Sequence, residues 1–231
     1  MSTYLQLSSQ LRQEVEGAGT GPTAVTSQTG VLARYVTWIA DAWTELQQDR
    51  DDWFWMRKSF TVNTTSSDGD YAYTDCTDTV SLAAISRWSR WYKHSFKCYL
   101  TASGVGAEYP LRWVEWENFR YRYRYGTQTD SSPRHVSMDP TLKFVLGPEP
   151  DAVYTVTGDY QIGPQTLAAD ADEPEMPSRF HKLIVYEAMI KYGMNSVAPE
   201  ILNRAAMEAP KLRSPLMRMQ LPALCAGPSL A

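Results

Sequence analysis

Cysteine is scarce in this chain, with Cys76, Cys98 and Cys225 the only three in 231 residues. They are too few and too scattered for a disulfide framework or a zinc site, so each reads as a small packed side chain. Histidine is equally thin. His94, His135 and His181 lack a neighbouring nucleophile-elbow serine or cysteine and any HExxH-type spacing, and each is expected at the surface or a sheet edge. No run approaches the length of a membrane-spanning helix. The opening MSTYLQLSSQLRQEV lacks the basic head and apolar middle of a secretion signal, so synthesis in the cytoplasm is expected. A basic excess is missing too: a net charge of -4 argues against a protein whose task is to grip phosphates.

Motifs for small ligands are also lacking. The glycines of Gly17 to Pro22 follow a helical pattern instead of a strand and lack the GK[ST] ending of a phosphate loop, which leaves a linker. Asp68, Asp70, Asp75 and Asp78 cluster, but Gly69 comes directly after the first acid and not at the sixth loop position, so an EF-hand is excluded and only a weak incidental cation site is left open. Asp170, Asp172, Glu173 and Glu175 stand before a helix start, where negative charge is favourable. With no catalytic constellation, no enzyme, cofactor or metal is expected.

What is present is apolar and aromatic. Hydrophobic residues make up 43% and charged ones 21%, the balance of a globular chain with a real core. Eight tryptophans and fourteen tyrosines favour sheets and subunit interfaces, where a large apolar body is buried and a polar tip satisfied.

The spacing predicts helices at both ends and strands between them, an α+β fold. A first helix over residues 4–15 carries Tyr4, Leu7, Leu11 and Val15 on one side. A second, from about Val31 to Asp49, has one strip of Leu32, Val36, Ile39, Trp43 and Leu46, and a second of Val31, Tyr35, Trp38 and Ala42. Two strips imply more than one packing partner. The stretch Pro177 to Tyr192 is apolar nearly all round, predicting a central helix covered by its own domain and by a neighbouring copy, with Gly193 as its stop and Glu187 paired to Lys191. From Trp55 to about Tyr160 the period changes to two. Residues 56–63, 96–100, 134–138, 142–146 and 153–157 read as antiparallel strands of a small sandwich or barrel.

The expected domains are a discontinuous helical bundle (1–54 and 165–215), an inserted β-rich domain (55–164) and an extended C-terminal arm (216–231). One further helix is expected over Pro199 to Ala209, with Pro210, Pro215, Pro222 and Pro228 preventing a longer one. The arm carries Leu216, Met217, Met219, Leu221 and Leu224, which a lone monomer has little reason to keep; the alternative is a disordered end.

Trp113 to Tyr125 fits either a strand with arginine and tyrosine faces or a helix. Helix is preferred, since Glu115 and Glu117 suit a first turn and Gly126 a stop. Around it, nine basic residues between Arg87 and Arg134 outnumber four acidic ones and interleave with Trp88, Trp91, Tyr92, Tyr121, Tyr123 and Tyr125. A protein interface of arginines stacked on aromatics is the first reading, single-strand nucleic-acid contact the second, plain surface the third. Arg120, Arg122 and Arg124 are the residues that would touch a tail protein or DNA.

Three stretches, GVLARYVTWIADAWTELQQDRDDWFWMRKSF, LKFVLGPEPDAVYTVTGDY and MPSRFHKLIVYEAMIKYG, taken in this order, resemble the head-to-tail adaptors of tailed bacteriophages, of the kind called tail tubular protein A in short-tailed phages. The resemblance runs from about Tyr4 to Met194 and lies in order and pattern, not in a catalytic motif. It implies a virion protein at the head–tail junction: a twelve-copy ring beneath the portal, helices toward the portal and sheets toward the tail. Such a ring extends the DNA channel, helps retain packaged DNA through to ejection, and seats the downstream tail or nozzle protein. It further implies that the C-terminal arm docks on the portal. Tyr35, Trp38, Tyr186, Met189 and Ile190 are the residues expected between subunits. DNA would pass an acidic lumen without sequence-specific binding; a phage nucleic-acid-binding protein using the Arg/Tyr region is the alternative.

Overall fold

The computed structural model describes residues 2–16 and 20–222. Contacts divide the chain into two units, Met1–Met56 with Pro164–Ala231, and Arg57–Gly163. Helices α1 (Tyr4–Glu16), α2 (Gly30–Gln48), α4 (His181–Asn195) and α5 (Pro199–Gln220) build the first, while α3 (Trp116–Tyr123) belongs to the second.

In the helical unit α4 packs on α1, α2 and α5. Its low amphipathicity has that simple cause: three helices of the same chain cover it, so Leu183, Ile184, Val185, Tyr186, Ala188 and Met189 are all buried. The second strip of α2 is spent in the same way. Tyr35 and Ala42 are buried, and Tyr35, Trp38 and Tyr192 form a ring cluster with centroids 5.8 to 6.1 Å apart. Trp53 is buried and stacks on Trp55 at 4.2 Å, donating from its indole to the Leu46 carbonyl.

Several sequence expectations give way here. Gly193 does not end α4, which continues to Asn195. A Cβ on Gly193 would stand 2.9 Å from Leu202 Cβ and 3.1 Å from its backbone nitrogen, so the glycine serves the close approach of α5. Glu187 and Lys191 do not pair; Glu187 meets Arg213 at 3.2 Å and Lys191 meets Glu45 at 2.6 Å, because neighbouring helices offer partners on each side. The longest correction concerns the prolines. α5 runs through Pro210 and Pro215 to Gln220, although each interior proline costs about 3 kcal/mol. Burial of Ala205, Ala209 and Leu216 and the Arg213 pairs hold the helix in place. The arm expected to be extended from Leu216 is therefore helical to Gln220; residues 223–231, with Leu224 and Cys225, lie outside the described residues.

The second unit holds ten short strands: β1 (Arg57–Asn63), β2 (Asp70–Tyr71), β3 (Thr77–Asp78), β4 (Arg90–Trp91), β5 (Lys97–Leu100), β6 (Tyr109–Pro110), β7 (Arg112–Trp113), β8 (His135–Met138), β9 (Phe144–Gly147) and β10 (Tyr154–Gln161). One sheet has the order β3-β1-β10-β5-β6, with β4 also on β10, and the other β2-β9-β8-β7. Phe60 and Trp91 of the first sheet, with Phe96 just before β5, meet Phe144 of the second, with ring centroids 5.4 to 5.9 Å apart. The two sheets share one aromatic core, and a sandwich results.

The Arg/Tyr stretch is helical, and its position explains a departure from the all-antiparallel expectation. β7 and β8 pair in parallel, which demands a crossover connection; α3 lies on that connection. It stops at Tyr123, ahead of Gly126. Its Phe119 is buried, and Gly147 of β9 lets it come close, since a Cβ there would meet the Tyr123 ring at 2.5 Å. Tyr73 sits in a 3-10 turn and stacks on Trp88 at 5.6 Å.

Candidate functional site

The working parts of this chain are surfaces, best built from the turns that shape them. At one end of the helical unit, α4 closes with Ala198 donating its amide to the Gly193 carbonyl at 3.0 Å. That six-to-one bond places Val197 at the position where glycine is usual. Its φ of 49° costs an L-residue about 1–2 kcal/mol, yet the side chain is 85% exposed. Met194 and Val31 are also exposed. Arg34 donates to Asn195 Oδ1 at 3.3 Å, tying the start of α2 to the end of α4.

Toward the other end, Arg213 of α5 lies between Glu187 and Asp49, at 3.2 and 3.8 Å. These residues line a recess of about 250 Å³ with Glu45 and Leu46. Burial pushes the Glu187 carboxyl above its ordinary value; Arg213 opposes the rise, and Asp49 and Glu45 add to it. A larger recess of about 470 Å³ is lined by Met217, Leu221 and Pro222 with Arg50, Asp51, Asp52 and Arg218.

In the sheet unit, two more apolar residues stand in the left-handed region and face solvent, Leu82 (φ 56°) and Leu142 (φ 67°). Asp78 organises the first of these turns. Its carboxylate accepts from the amides of Val80 at 2.9 Å and Ser81 at 2.7 Å and from the Tyr160 hydroxyl at 3.0 Å. Burial alone would raise its pKa, but these hydrogen bonds outweigh burial and the net shift is downward. Val80 and Leu82 at the tip are more than three-quarters exposed.

The arginine run is largely neutralised within its own unit. Arg124 pairs with Asp70 and, at 3.2 Å, with Glu149; Arg120 stands 3.8 Å from Glu117. Lys93 pairs with Glu115 and Lys97 with Glu108, while Arg57 and Arg90 lie over Tyr92 and Arg134 over Tyr109. Arg122 has no ion pair among the described residues, and Tyr121 and Tyr125 are exposed with rings 5.9 Å apart.

The expected subunit-interface set falls into two groups. Tyr35, Tyr186 and Met189 are buried by the chain's own helices, and only Trp38 and Ile190 stay half-exposed. In the arm, Leu216 is fully buried, whereas Met217, Met219 and Leu221 keep exposed surface. His181 departs from the surface expectation: it is 2% exposed, its Nδ1 accepting from the Ser2 amide at 3.2 Å and its Nε2 lying 3.1 Å from the Met176 carbonyl. The N-terminal segment docks there. His135 begins β8, its Nδ1 2.6 Å from the Tyr123 hydroxyl, and burial with Arg122 and Arg112 lowers its pKa; His94 is exposed.

Neither acidic cluster converges on one point. Asp75 accepts the Ala72 amide, Asp70 holds Arg124, Asp170 accepts the Val25 amide at 2.6 Å, and Asp172 accepts the amides of Ala168 and Ala169. Asp170 and Asp172 thus shape the loop before α4, and their backbone carbonyls accept from Leu5 and Tyr4 at the start of α1. Among the described residues no group of three or more histidine, cysteine or acidic side chains is placed to hold a metal. The strained apolar turns and the Arg213 pairs were invisible to sequence reasoning. The one available signal for the Val197 turn was Pro199, a residue suited to opening a new helix.

A two-unit α+β scaffold with exposed apolar turns on each unit defines a protein that works through contacts. The chain matches the SU10 adaptor protein family over residues 2–221 and belongs to that family. It is thus a phage adaptor, a structural component of the virion at the head–tail junction that associates with other head and tail proteins. No curated protein matches the chain.

Proposed function

We propose that twelve copies form a ring beneath the portal, extend the DNA channel, help retain the packaged genome until ejection, and seat the downstream tail or nozzle protein. The observation that carries this reading is the extent of the family match, which spans both units from residue 2 to 221. The helical unit faces the portal and the sheet unit the tail. Trp38 and Ile190, half-exposed on α2 and α4, contribute to subunit contact. Met217, Met219 and Leu221, together with Leu224, reach the portal, with buried Leu216 as their root. The role is structural and needs no cofactor. A net charge of -4 suits a channel along which DNA slides without adhering.

The test mixes the full chain with purified portal rings and reads particle mass and negative-stain images, with and without residues 217–231. A stoichiometric ring on the portal that is lost on truncation is the expected result. A chain that ignores the portal overturns the reading.

Exposed Tyr121, Tyr125 and Arg122 favour one second reading, contact with nucleic acid by base stacking and a single cation. DNA retardation that falls with salt and is lost in R122A and Y121A, with portal docking intact, would establish it.

A further inference from the structure

β7, β8 and β9 bring Arg112, His135 and Gly147 into one row, since Arg112 stands opposite His135 in the parallel pairing and His135 opposite Gly147 in the antiparallel one. Paired residues share a face of the sheet, and this is the face that α3 covers. The missing side chain at Gly147 leaves room for the Tyr123 and Phe119 rings. Tyr123 then places its hydroxyl 2.6 Å from His135 Nδ1. That contact fixes the last turn of α3 over β8, and Arg122, one residue before Tyr123, comes near the same imidazole.

Two guanidiniums thus flank one histidine. Burial first, then Arg122 and Arg112, lower the His135 pKa, so the ring adds no third charge at neutral pH. Both arginines are exposed, and neither has an ion pair among the described residues. The carboxylates on neighbouring positions are already taken: Glu117 lies by Arg120, Glu115 holds Lys93, and Asp70 and Glu149 hold Arg124. Arg122 alone would be accounted for as a cation at a helix C-terminus. Arg112 sits on a strand and has no such service, and like charges brought together repel. The cluster is one anion short.

We propose that Arg112, Arg122 and His135 receive a carboxylate side chain of the downstream tail protein. A guanidinium fork matches a carboxylate in a bidentate pair, and the hydroxyl-bonded imidazole closes the inner side of the site. DNA fits less well. A strand carries a phosphate about every 3.4 Å and would lay its next charges against Glu117, Asp70 and Glu149. The identity of the partner rests on the ring reading above; the carboxylate chemistry does not.

The test follows the His135 ring signal of the full chain by NMR, assigned with H135Q, at neutral pH and physiological salt. The probe is a blocked peptide with one glutamate between glycines, and the same peptide with glutamine is its control. A saturable shift with the glutamate peptide alone is expected, weakened about tenfold or more in R112A and in R122A and little changed in R120A. No shift, an equal response to the glutamine peptide, or an equal loss in R120A overturns the site. Oligothymidylate that moves the same signal and displaces the peptide overturns the assignment to a protein carboxylate in favour of nucleic acid. A chain that docks on portal rings but ignores the peptide loses this site and keeps the ring reading. One that binds the peptide but ignores the portal loses the ring reading and, with it, the tail protein as the partner.

Discussion

Arg213 on α5 meets Glu187 on α4 at 3.2 Å, and this pair joins the proline-interrupted half of the last helix to the centre of the bundle. Glu187 is the more buried partner, and burial holds its carboxyl above the ordinary value of 4.5 despite the guanidinium. A folded-state pKa raised above the unfolded one means that the folded chain keeps a proton that the unfolded chain releases. The contribution of Glu187 to stability is therefore full below about 4.5 and declines as pH rises through the folded-state value. In thermal melts across pH 4 to 8, E187Q should gain on the parent as pH rises; parallel curves would contradict this. R213A leaves two carboxylates without their partner and should cost about 1–3 kcal/mol, between the values for exposed and buried pairs.

The Asp78 turn has the opposite sign. Its pKa lies below the ordinary 3.8 because hydrogen bonds from Ser81, Val80 and Tyr160 outweigh burial. Its stabilisation is present above the unfolded value and lost as pH falls through the folded one. D78A should cost about 2 kcal/mol at neutral pH and should speed amide exchange at Val80 and Ser81. Unchanged exchange there would show that Asp78 does not hold the turn.

Gly193 sets how closely α4 and α5 approach. G193A puts a methyl group within 2.9 to 3.1 Å of Leu202 Cβ, Cα and backbone nitrogen, and should destabilise by about 1–3 kcal/mol despite alanine's better helix propensity. Denaturant unfolding measures it, and a gain in stability would mean that the helices part at no cost.

Burial pushes the thiols of Cys76 and Cys98 up to about 12 and about 11. The thiolate is the reactive form, so a C225S chain should resist maleimide at pH 8 while folded. After denaturation it should take up two labels, counted by mass spectrometry. Labelling of the native chain would show that one sheet edge opens.

Much of this architecture was legible in the residues. The period of 3.6 in α1 and α2 and the period of two in β1 and β10 both reflect which side chains one face must bury, and local spacing records that directly. The Arg/Tyr stretch could be read as a helix because its ends carry charge and glycine in the right places. The nearly all-apolar face of α4 was legible as well, but not what covers it. Spacing states how much of a helix needs cover, and α1, α2 and α5 of the same chain supply it where a neighbouring copy was also expected.

By itself, then, the sequence determined the helices at both ends, the five longest strands between them and the family. Tertiary structure decided the rest. It carried α5 through two prolines because long-range packing on α4 outweighs their local cost. It assigned Glu187 to Arg213 over the nearer Lys191, and most of the basic residues to partners within their own unit. It also placed Val197 in a left-handed turn, because φ at a helix terminus is set by the two helices it must join and not by the preference of the residue that occupies it.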